Sequence, residues 1–113
     1  MPTVLVTGAA GFLGGLVSDA FERVGWKVLR CGRSGRGMVL PAAFLEAELP
    51  SDALVELLRR EPPEVCVHCA GTAEPRLSLL DPVRDFVNGP QLTLWLMDNL
   101  RKHAPRCRVV FPS

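Results

Sequence analysis

The segment that decides the fold runs from Thr3 to Gly14 and reads Thr-Val-Leu-Val-Thr-Gly-Ala-Ala-Gly-Phe-Leu-Gly. It begins with an unbroken run of β-branched residues and leucine, the composition of a strand that is covered on both faces in a parallel sheet. Gly8 permits a sharp turn off this strand, Gly11 lets backbone N–H groups approach a pyrophosphate, and Gly14 lets the next helix pack closely. The helix N-terminus then offers unpaired N–H donors to a phosphate.

The residues after the turn predict a helix followed by a second strand. Gly25 ends the helix as a C-terminal cap, and Val28 and Leu29 begin the strand, so the order is that of a βαβ nucleotide-binding unit. An ATPase-type phosphate loop is disfavoured, because Lys and Ser or Thr do not follow the last glycine. A glycine-rich turn that binds nothing is the remaining alternative. Apolar residues at helical spacing predict one buried stripe on the helix: Leu13, Leu16, Val17, Ala20, Phe21 and Val24.

Composition places the chain among ordinary globular proteins. Of its 113 residues, 48% are hydrophobic and 22% are charged, and the formal net charge is +1. This charge gives no electrostatic reason to expect nucleic acid or an anionic membrane as a partner. No apolar run is as long as a membrane span, and the N-terminus is already the first strand. The sequence therefore predicts no membrane or nucleic-acid partner, no secretory signal and a cytoplasmic location.

The four cysteines all lie in or beside predicted strands. Cys66 and Cys69 have the spacing of a zinc or redox pair. Positions three apart on a strand point to opposite faces, however, whereas metal ligands or a disulfide pair must converge. We therefore predict no metal site, and we interpret the cysteines as small buried hydrophobic residues of a reduced protein.

The glycine spacing Gly-x-x-Gly-x-x-Gly, within the phrase Val-Leu-Val-Thr-Gly-Ala-Ala-Gly-Phe-Leu-Gly, resembles the extended short-chain dehydrogenase/reductase family. This branch contains nucleotide-sugar epimerases, dehydratases and reductases, and the resemblance covers nearly the whole chain. It implies an α/β fold, in which residues 1–113 form one NAD(P)-binding Rossmann-type domain. We expect a doubly wound parallel sheet of about five strands in the order 3-2-1-4-5, with right-handed helical crossovers. The turn supplies these candidate cofactor-binding residues: Gly8, Ala10, Gly11, Phe12, Leu13 and Gly14.

The loop after the second strand is where this fold distinguishes NADP from NAD. An acidic residue there would bond the adenosine ribose and repel a 2′-phosphate, but the family's usual aspartate falls on Gly32. Arg33 and Ser34 instead offer a guanidinium and a hydroxyl suited to a phosphate, with Arg30 and Arg36 as possible helpers. The sequence thus favours NADP, with NAD possible. The alternative is a solvated basic loop.

Two further segments resemble the family's cofactor site. The third strand is expected within 38–40 or 44–49, and Glu48-Leu49 occupies the place of an Asp-Leu pair that lies beside the adenine in relatives. The fourth strand, 64–69, leads into Ala70-Gly71, which the resemblance places against the cofactor. His68 is predicted to be a structural residue at the end of this strand rather than a catalyst.

The helices have recognisable ends. Ser51 is expected to cap the helix that Pro62-Pro63 terminates, and Asp81-Pro82 begins a long helix that 88–90 interrupts. By resemblance, Asn88 supports the active site at that irregularity; otherwise it is only a kink residue. The segment from Leu92 to Leu100 is apolar around most of its circumference, so it has apolar surface beyond the face that packs on the sheet. By resemblance to the family, this helix implies a homodimer contact. The alternative is burial under parts of the protein outside this sequence.

The last predicted strand is 106–111, followed by Pro112-Ser113. In relatives a catalytic Ser or Thr follows this strand, and a Tyr-x-x-x-Lys motif comes later, but this chain contains no tyrosine. We therefore assign no catalytic residue. We expect the chain to be the cofactor-binding half of an NADP-dependent oxidoreductase, epimerase or dehydratase that acts on a sugar nucleotide or a similar carbonyl or alcohol substrate. A complete, non-catalytic dinucleotide-binding module is the alternative, and a non-functional remnant is a third possibility.

Overall fold

The computed structural model describes residues 1–33, 44–70 and 79–112. Three helices longer than one turn and a short one flank the sheet within these ranges. In chain order the elements are β1 (Thr3–Thr7), α1 (Phe12–Arg23), β2 (Lys27–Gly32), β3 (Phe44–Glu46), α2 (Asp52–Arg60), β4 (Val65–His68), α3 (Pro82–Phe86), a π-helical turn (Val87–Gln91), α4 (Leu92–His103) and β5 (Arg108–Val110).

The described strands form one parallel sheet in the order β3-β2-β1-β4-β5. The central strand is β1, whose Val4, Leu5 and Val6 are fully buried, as an apolar strand covered on both faces should be. In register, Leu5 lies opposite Leu29 of β2 and Cys66 of β4. The predicted Rossmann-type fold and strand order are confirmed. The order reverses between β1 and β4, so the carboxyl ends of these strands are the expected place for a ligand.

Apolar side chains fill both faces of the sheet. One cluster, under α2 and α4, includes Leu29, Leu54, Leu58, Leu96 and Leu100. The other lies under α1 and contains Val4, Val6, Ala9, Val28 and Val67, against which Val17, Phe21 and Trp26 pack. Both faces of the central strands are therefore covered by apolar side chains, and the carboxyl ends of these strands continue into segments at the surface.

The predicted apolar stripe of α1 is wrong in part. Leu16 and Val24 are 53% and 73% exposed, and the buried residues of the helix are Gly14 and Ser18. These small residues let the helix approach the sheet closely, and the Ser18 hydroxyl donates to the carbonyl of Gly14 at 2.7 Å. Of the predicted stripe, only Val17 and Phe21 pack on the core, because the helix touches the sheet along Gly14 and Ser18 instead.

The predicted helix ends are confirmed. The Ser51 hydroxyl accepts from the N–H of Ala53 at 3.2 Å, and the Asp81 carboxylate accepts from the N–H of Arg84 at 3.1 Å. Gly25 follows α1 with a φ of 90°, a conformation that favours glycine. The third strand is short, Phe44–Glu46, so Glu48 and Leu49 lie just beyond it, and the candidate segment 38–40 lies outside the described residues.

The predicted interruption of the long helix at 88–90 is confirmed, and it takes the form of a π-helical turn between two α-helical segments. The chain passes from α3 to α4 through the π-helical turn, which contains Pro90. A π turn absorbs an extra residue, and it accommodates a residue that has no N–H to donate. Beyond it, α4 buries Leu92, Leu96 and Leu100 on the sheet while Leu94 remains 71% exposed.

Candidate cofactor site

The glycine turn rests on the backbone that leaves β4. Gly8 has a φ of 64°, which favours glycine, and a Cβ there would lie 2.7 Å from the backbone nitrogen of Ala70. It would be equally close to the backbone carbon of Cys69. The turn can therefore lie against β4 only because position 8 has no side chain.

Gly14 has an even tighter requirement. A Cβ at this position would lie 2.1 Å from the carbonyl oxygen of Gly8, closer than any real contact. At Gly11 the same oxygen would be 3.3 Å from a Cβ, and the N–H of Gly11 donates to it at 3.0 Å. The three glycines thus fold the turn around one carbonyl, which brings the first turn of α1 directly over the end of β1.

The N-terminus of α1 is exposed and open to an anion. Gly11 is its N-cap, with no side-chain cap bond and no acidic residue in the first turn of this described helix. Phe12 is 87% exposed and Leu13 is 45% exposed, so the start of the helix lies at the surface, where first-turn N–H groups have no intrahelical partner. Uncapped donors and a helix dipole above a turn without side chains fit the pyrophosphate of a dinucleotide. The observed cradle thus accommodates the predicted cofactor.

The end of β2 closes the other side of the turn. The N–H of Ala9 donates to the carbonyl of Cys31 at 3.1 Å, and a Cβ on Gly32 would lie 3.3 Å from the same nitrogen. Gly32 therefore places no side chain, and no negative charge, beside this part of the turn. The next residue, Arg33, is exposed at this edge.

Arg33 faces the segment that follows β3. The N–H of Ala47 donates to the carbonyl of Gly32 at 2.9 Å, which holds this segment beside β2. A guanidinium nitrogen of Arg33 then lies 3.8 Å from a carboxylate oxygen of Glu48. The structure thus brings together two residues that the sequence assigned separately to the adenosine end. Leu49 is half-buried and packs on the core under α2 and α4.

Thr7 was not among the predicted site residues, yet it lies at the centre of this edge. Its Oγ1 is 2.6 Å from Nδ1 of His68 and accepts from the N–H of Ala70 at 3.2 Å. All the buried side-chain nitrogen and oxygen atoms of the described residues have partners. The only sequence signal for this role was a hydroxyl that ends an apolar strand immediately before Gly8.

His68 has the environment of a structural residue. It is buried, it packs edge-on against Phe111 with ring centroids 5.9 Å apart, and burial lowers its pKa below the ordinary value. Because Thr7 already accepts from Ala70, its hydroxyl proton is available for Nδ1, and we assign the neutral ring with its proton on Nε2. The pair joins the carboxyl ends of β1 and β4 beneath the turn.

Arg30 is engaged by acids of the protein itself, which disfavours its suggested role as a phosphate helper. Its side chain is 9% exposed, and its guanidinium donates to Glu22 at 2.6 Å and lies 3.6 Å from Asp19. Both acids belong to α1, so the side chain ties β2 to that helix.

Several predicted residues belong to segments that are not described. Ser34, Arg36 and Gly71 lie outside the described residues, and so does the rest of segment 71–78. Asn88 falls in the π-helical turn, and its side chain is also outside the described part. Their roles stay predictions.

The cysteines occupy different places, as the strand geometry implied. Cys66 belongs to the cluster under α2 and α4, whereas Cys69 packs on the cluster under α1. Burial raises the pKa of the Cys66 thiol and raises that of Cys31 to about 11, so these thiols are protonated near neutral pH. Within 1–33, 44–70 and 79–112, no three His, Cys, Asp or Glu residues are grouped to hold a metal ion.

Comparison with known proteins decides the family. The family model for the NAD dependent epimerase/dehydratase family matches residues 4–113. The chain belongs to this family. The resemblance to the extended short-chain dehydrogenases/reductases is thereby confirmed.

Two solved epimerase structures are similar to the chain. UDP-glucose 4-epimerase from Brucella ovis, in complex with NAD, has a TM-score of 0.80 and is 26% identical. The match covers 98% of this chain and 35% of that one. UDP-glucose 4-epimerase from Thermus thermophilus, also in complex with NAD, has a TM-score of 0.76 and 30% identity, covering 89% of this chain and 34% of that one.

A curated relative has a different name. Methionine adenosyltransferase 2 subunit beta of Rattus norvegicus is 34% identical over 102 residues, which is 89% of this chain and 28% of the relative. The chain therefore spans between about a quarter and a third of the length of these relatives. None of the described helices is long and apolar enough to cross a membrane.

Proposed function

We propose that the chain binds a nicotinamide dinucleotide, with a preference for NADP over NAD. The observation that carries this proposal is the uncapped N-terminus of α1, which lies over a turn where Gly8 and Gly14 leave no room for side chains. It stands at the sheet edge where the strand order reverses, the place where open α/β sheets bind ligands. The NAD in both epimerase complexes supports the cofactor class.

Each part of the cradle has a role in this proposal. Backbone N–H groups of the turn and of Phe12 and Leu13 hold the pyrophosphate, while Ala70 and Gly71 allow the nicotinamide half to approach β4. At the adenosine end, Arg33 binds the 2′-phosphate together with Ser34. Glu48 and Leu49 lie on the adenine side.

The parent activity that we propose is that of an NADP-dependent oxidoreductase, epimerase or dehydratase. Its substrate would be a sugar nucleotide or a similar carbonyl or alcohol compound, and the UDP-glucose 4-epimerase neighbours support this class. The bound nicotinamide would supply hydride transfer. The 113 residues contain no tyrosine, so the Tyr-x-x-x-Lys chemistry would have to come from a longer protein. We expect no turnover by the 113-residue chain alone, and a cytoplasmic location.

The second candidate is a non-catalytic dinucleotide-binding subunit. The relative named methionine adenosyltransferase 2 subunit beta favours it, because that name describes a component of an assembly. Apolar side chains on the outer side of the long helix would supply the contact with a partner or with a second copy. They include Val83, Phe86, Leu94 and Met97.

Calorimetric titration of the 113-residue chain with NADP and with NAD tests the binding proposal. We expect NADP to bind more tightly, and Arg33→Met to weaken NADP by about tenfold while NAD changes little. Arg59→Met is the matched control, because Arg59 is also exposed and paired with an acid, Glu56, but lies on α2. Equal affinities for both dinucleotides would overturn the NADP preference. If neither NADP nor NAD bound, the proposed binding function would be overturned.

The intact mass of the protein from its native source separates the two candidates. A mass about threefold that of the chain would support the enzyme candidate, and the longer protein would then be assayed for hydride transfer to NADP with UDP-glucose. A mass equal to that of the chain would contradict the enzyme candidate. Sedimentation together with the other subunits of a methionine adenosyltransferase would then test the second candidate.

A further inference from the structure

Two oppositely charged side chains form an ion pair at the adenosine end of the candidate site. Arg33 and Glu48 approach to 3.8 Å, and their side chains are 74% and 79% exposed. Together with Glu46 and Ala47 they line a shallow depression beside the carboxyl ends of β2 and β3. The residue proposed to recognise the 2′-phosphate is therefore already paired with a carboxylate of the same protein.

Charge decides what this pairing does to a ligand. Among the described residues lining the depression there is one cation, Arg33, and there are two acids, Glu46 and Glu48. A 2′-phosphate that approaches Arg33 enters a place where the Glu48 carboxylate uses the same guanidinium. The phosphate can take the full attraction of the guanidinium only by displacing the carboxylate from it. NAD has only a hydroxyl at this position, so it does not have to displace Glu48.

We infer that Glu48 is a specificity-determining residue, which competes with the 2′-phosphate of NADP for Arg33 and thereby limits the preference for NADP over NAD. This inference rests on the proposed dinucleotide-binding function. Two roles of Glu48, contact with the adenine and competition for Arg33, have different consequences for the two dinucleotides. Contact with the adenine would help both dinucleotides equally, whereas competition for Arg33 weakens NADP alone.

The exposure of the Arg33–Glu48 pair limits how much Glu48 can reduce the affinity for NADP. Because an exposed ion pair is weak, a bound phosphate can displace Glu48, and we expect the carboxylate to reduce NADP affinity by about three- to tenfold. Dissolved salt screens exposed charges beyond about 8 Å at about 0.15 M ionic strength. The effect should therefore be largest at low salt.

The test is calorimetric titration of wild type and Glu48→Gln with NADP and NAD. We expect the variant to bind NADP about three- to tenfold more tightly, with NAD within about twofold, and the gain to shrink as salt is added. Glu56→Gln is the matched control, since it removes the acid of another exposed Arg-Glu pair, on α2. It should alter neither affinity, and far-ultraviolet circular dichroism should be unchanged in both variants.

A double-mutant cycle with Arg33→Met tests whether the effect passes through Arg33. Competition predicts that Glu48→Gln gains clearly less NADP affinity once Arg33 is removed. An equal gain in both backgrounds would overturn competition in favour of direct repulsion. Weaker binding of both dinucleotides by Glu48→Gln, or no change in either, would also overturn the inference. Wild type that binds neither dinucleotide would instead refute the proposed function, and this inference with it.

Discussion

The hydroxyl of Thr7 lies 2.6 Å from Nδ1 of His68, and this bond joins the ends of two neighbouring strands directly beneath the glycine turn. Thr7→Val keeps the shape but leaves the ring nitrogen and the N–H of Ala70 unpaired in a buried place. We expect a loss of about 1–3 kcal/mol in the free energy of unfolding, measured by urea titration. Thr7→Ser retains the hydroxyl and should recover most of the loss. Equal losses in both variants would show that the methyl packing matters, not the bond.

The stability of the chain should depend on pH through His68. Burial lowers the pKa of the folded ring, so between that value and about 6.5 the unfolded chain binds more protons. The contribution of the neutral ring is therefore complete above about pH 6.5 and is lost as the pH falls below it. The free energy of unfolding, measured by urea titration between about pH 7.5 and 5.5, should decrease accordingly.

Glutamine at position 68 removes the titrating group and should flatten this pH profile. His103→Gln is the control, because His103 is the other histidine of the chain and lies at the C-terminal end of α4, away from the turn. A profile that stays as steep in His68→Gln as in wild type would assign the pH dependence to other groups.

Local patterns predicted the glycine turn, the caps at Ser51 and Asp81 and the strand order, because each depends on neighbouring residues or on chain direction. Thr7 and His68 are 61 positions apart, and only the pairing of β1 with β4 brings them together. The pairing of Arg30 with Glu22 could not be predicted from the sequence either, since it depends on where α1 places Glu22 relative to β2. Helical periodicity failed on α1 because small residues, which carry little apolar signal, form its contact with the sheet.

Two adjacent glycines at the start of α1 should respond oppositely to alanine. A Cβ at position 14 would lie 2.1 Å from the carbonyl oxygen of Gly8, whereas one at Gly15 has its nearest neighbour at 3.7 Å. Gly14→Ala should cost about 3 kcal/mol or more, because either the turn or the helix must move. The same change at Gly15 should stabilise the helix by up to about 1 kcal/mol.

Thermal unfolding and NADP titration of both alanine variants measure these effects. Only Gly14→Ala is expected to lose dinucleotide binding, since only it displaces the backbone that forms the cradle. Similar melting temperatures for the two variants would contradict the close approach of the helix to Gly8.

The ion pair between Arg30 and Glu22 should contribute to stability more than the exposed pairs do. The Arg30 side chain is 9% exposed and its guanidinium donates to Glu22 at 2.6 Å, so Glu22→Gln leaves a largely buried cationic side chain with Asp19 at 3.6 Å. Glu22 itself is 65% exposed, so solvent screens part of the interaction, and we expect a loss of about 1–2 kcal/mol in the free energy of unfolding.

In the matched control Glu56→Gln, the partner Arg59 is exposed, and the loss in the free energy of unfolding should stay below about 0.5 kcal/mol. Urea titration at low and at high salt separates the two, because screening weakens the exposed pair first. Equal losses in the two variants would mean that Arg30 finds other compensation, and the link from β2 to α1 would then rest on apolar packing alone.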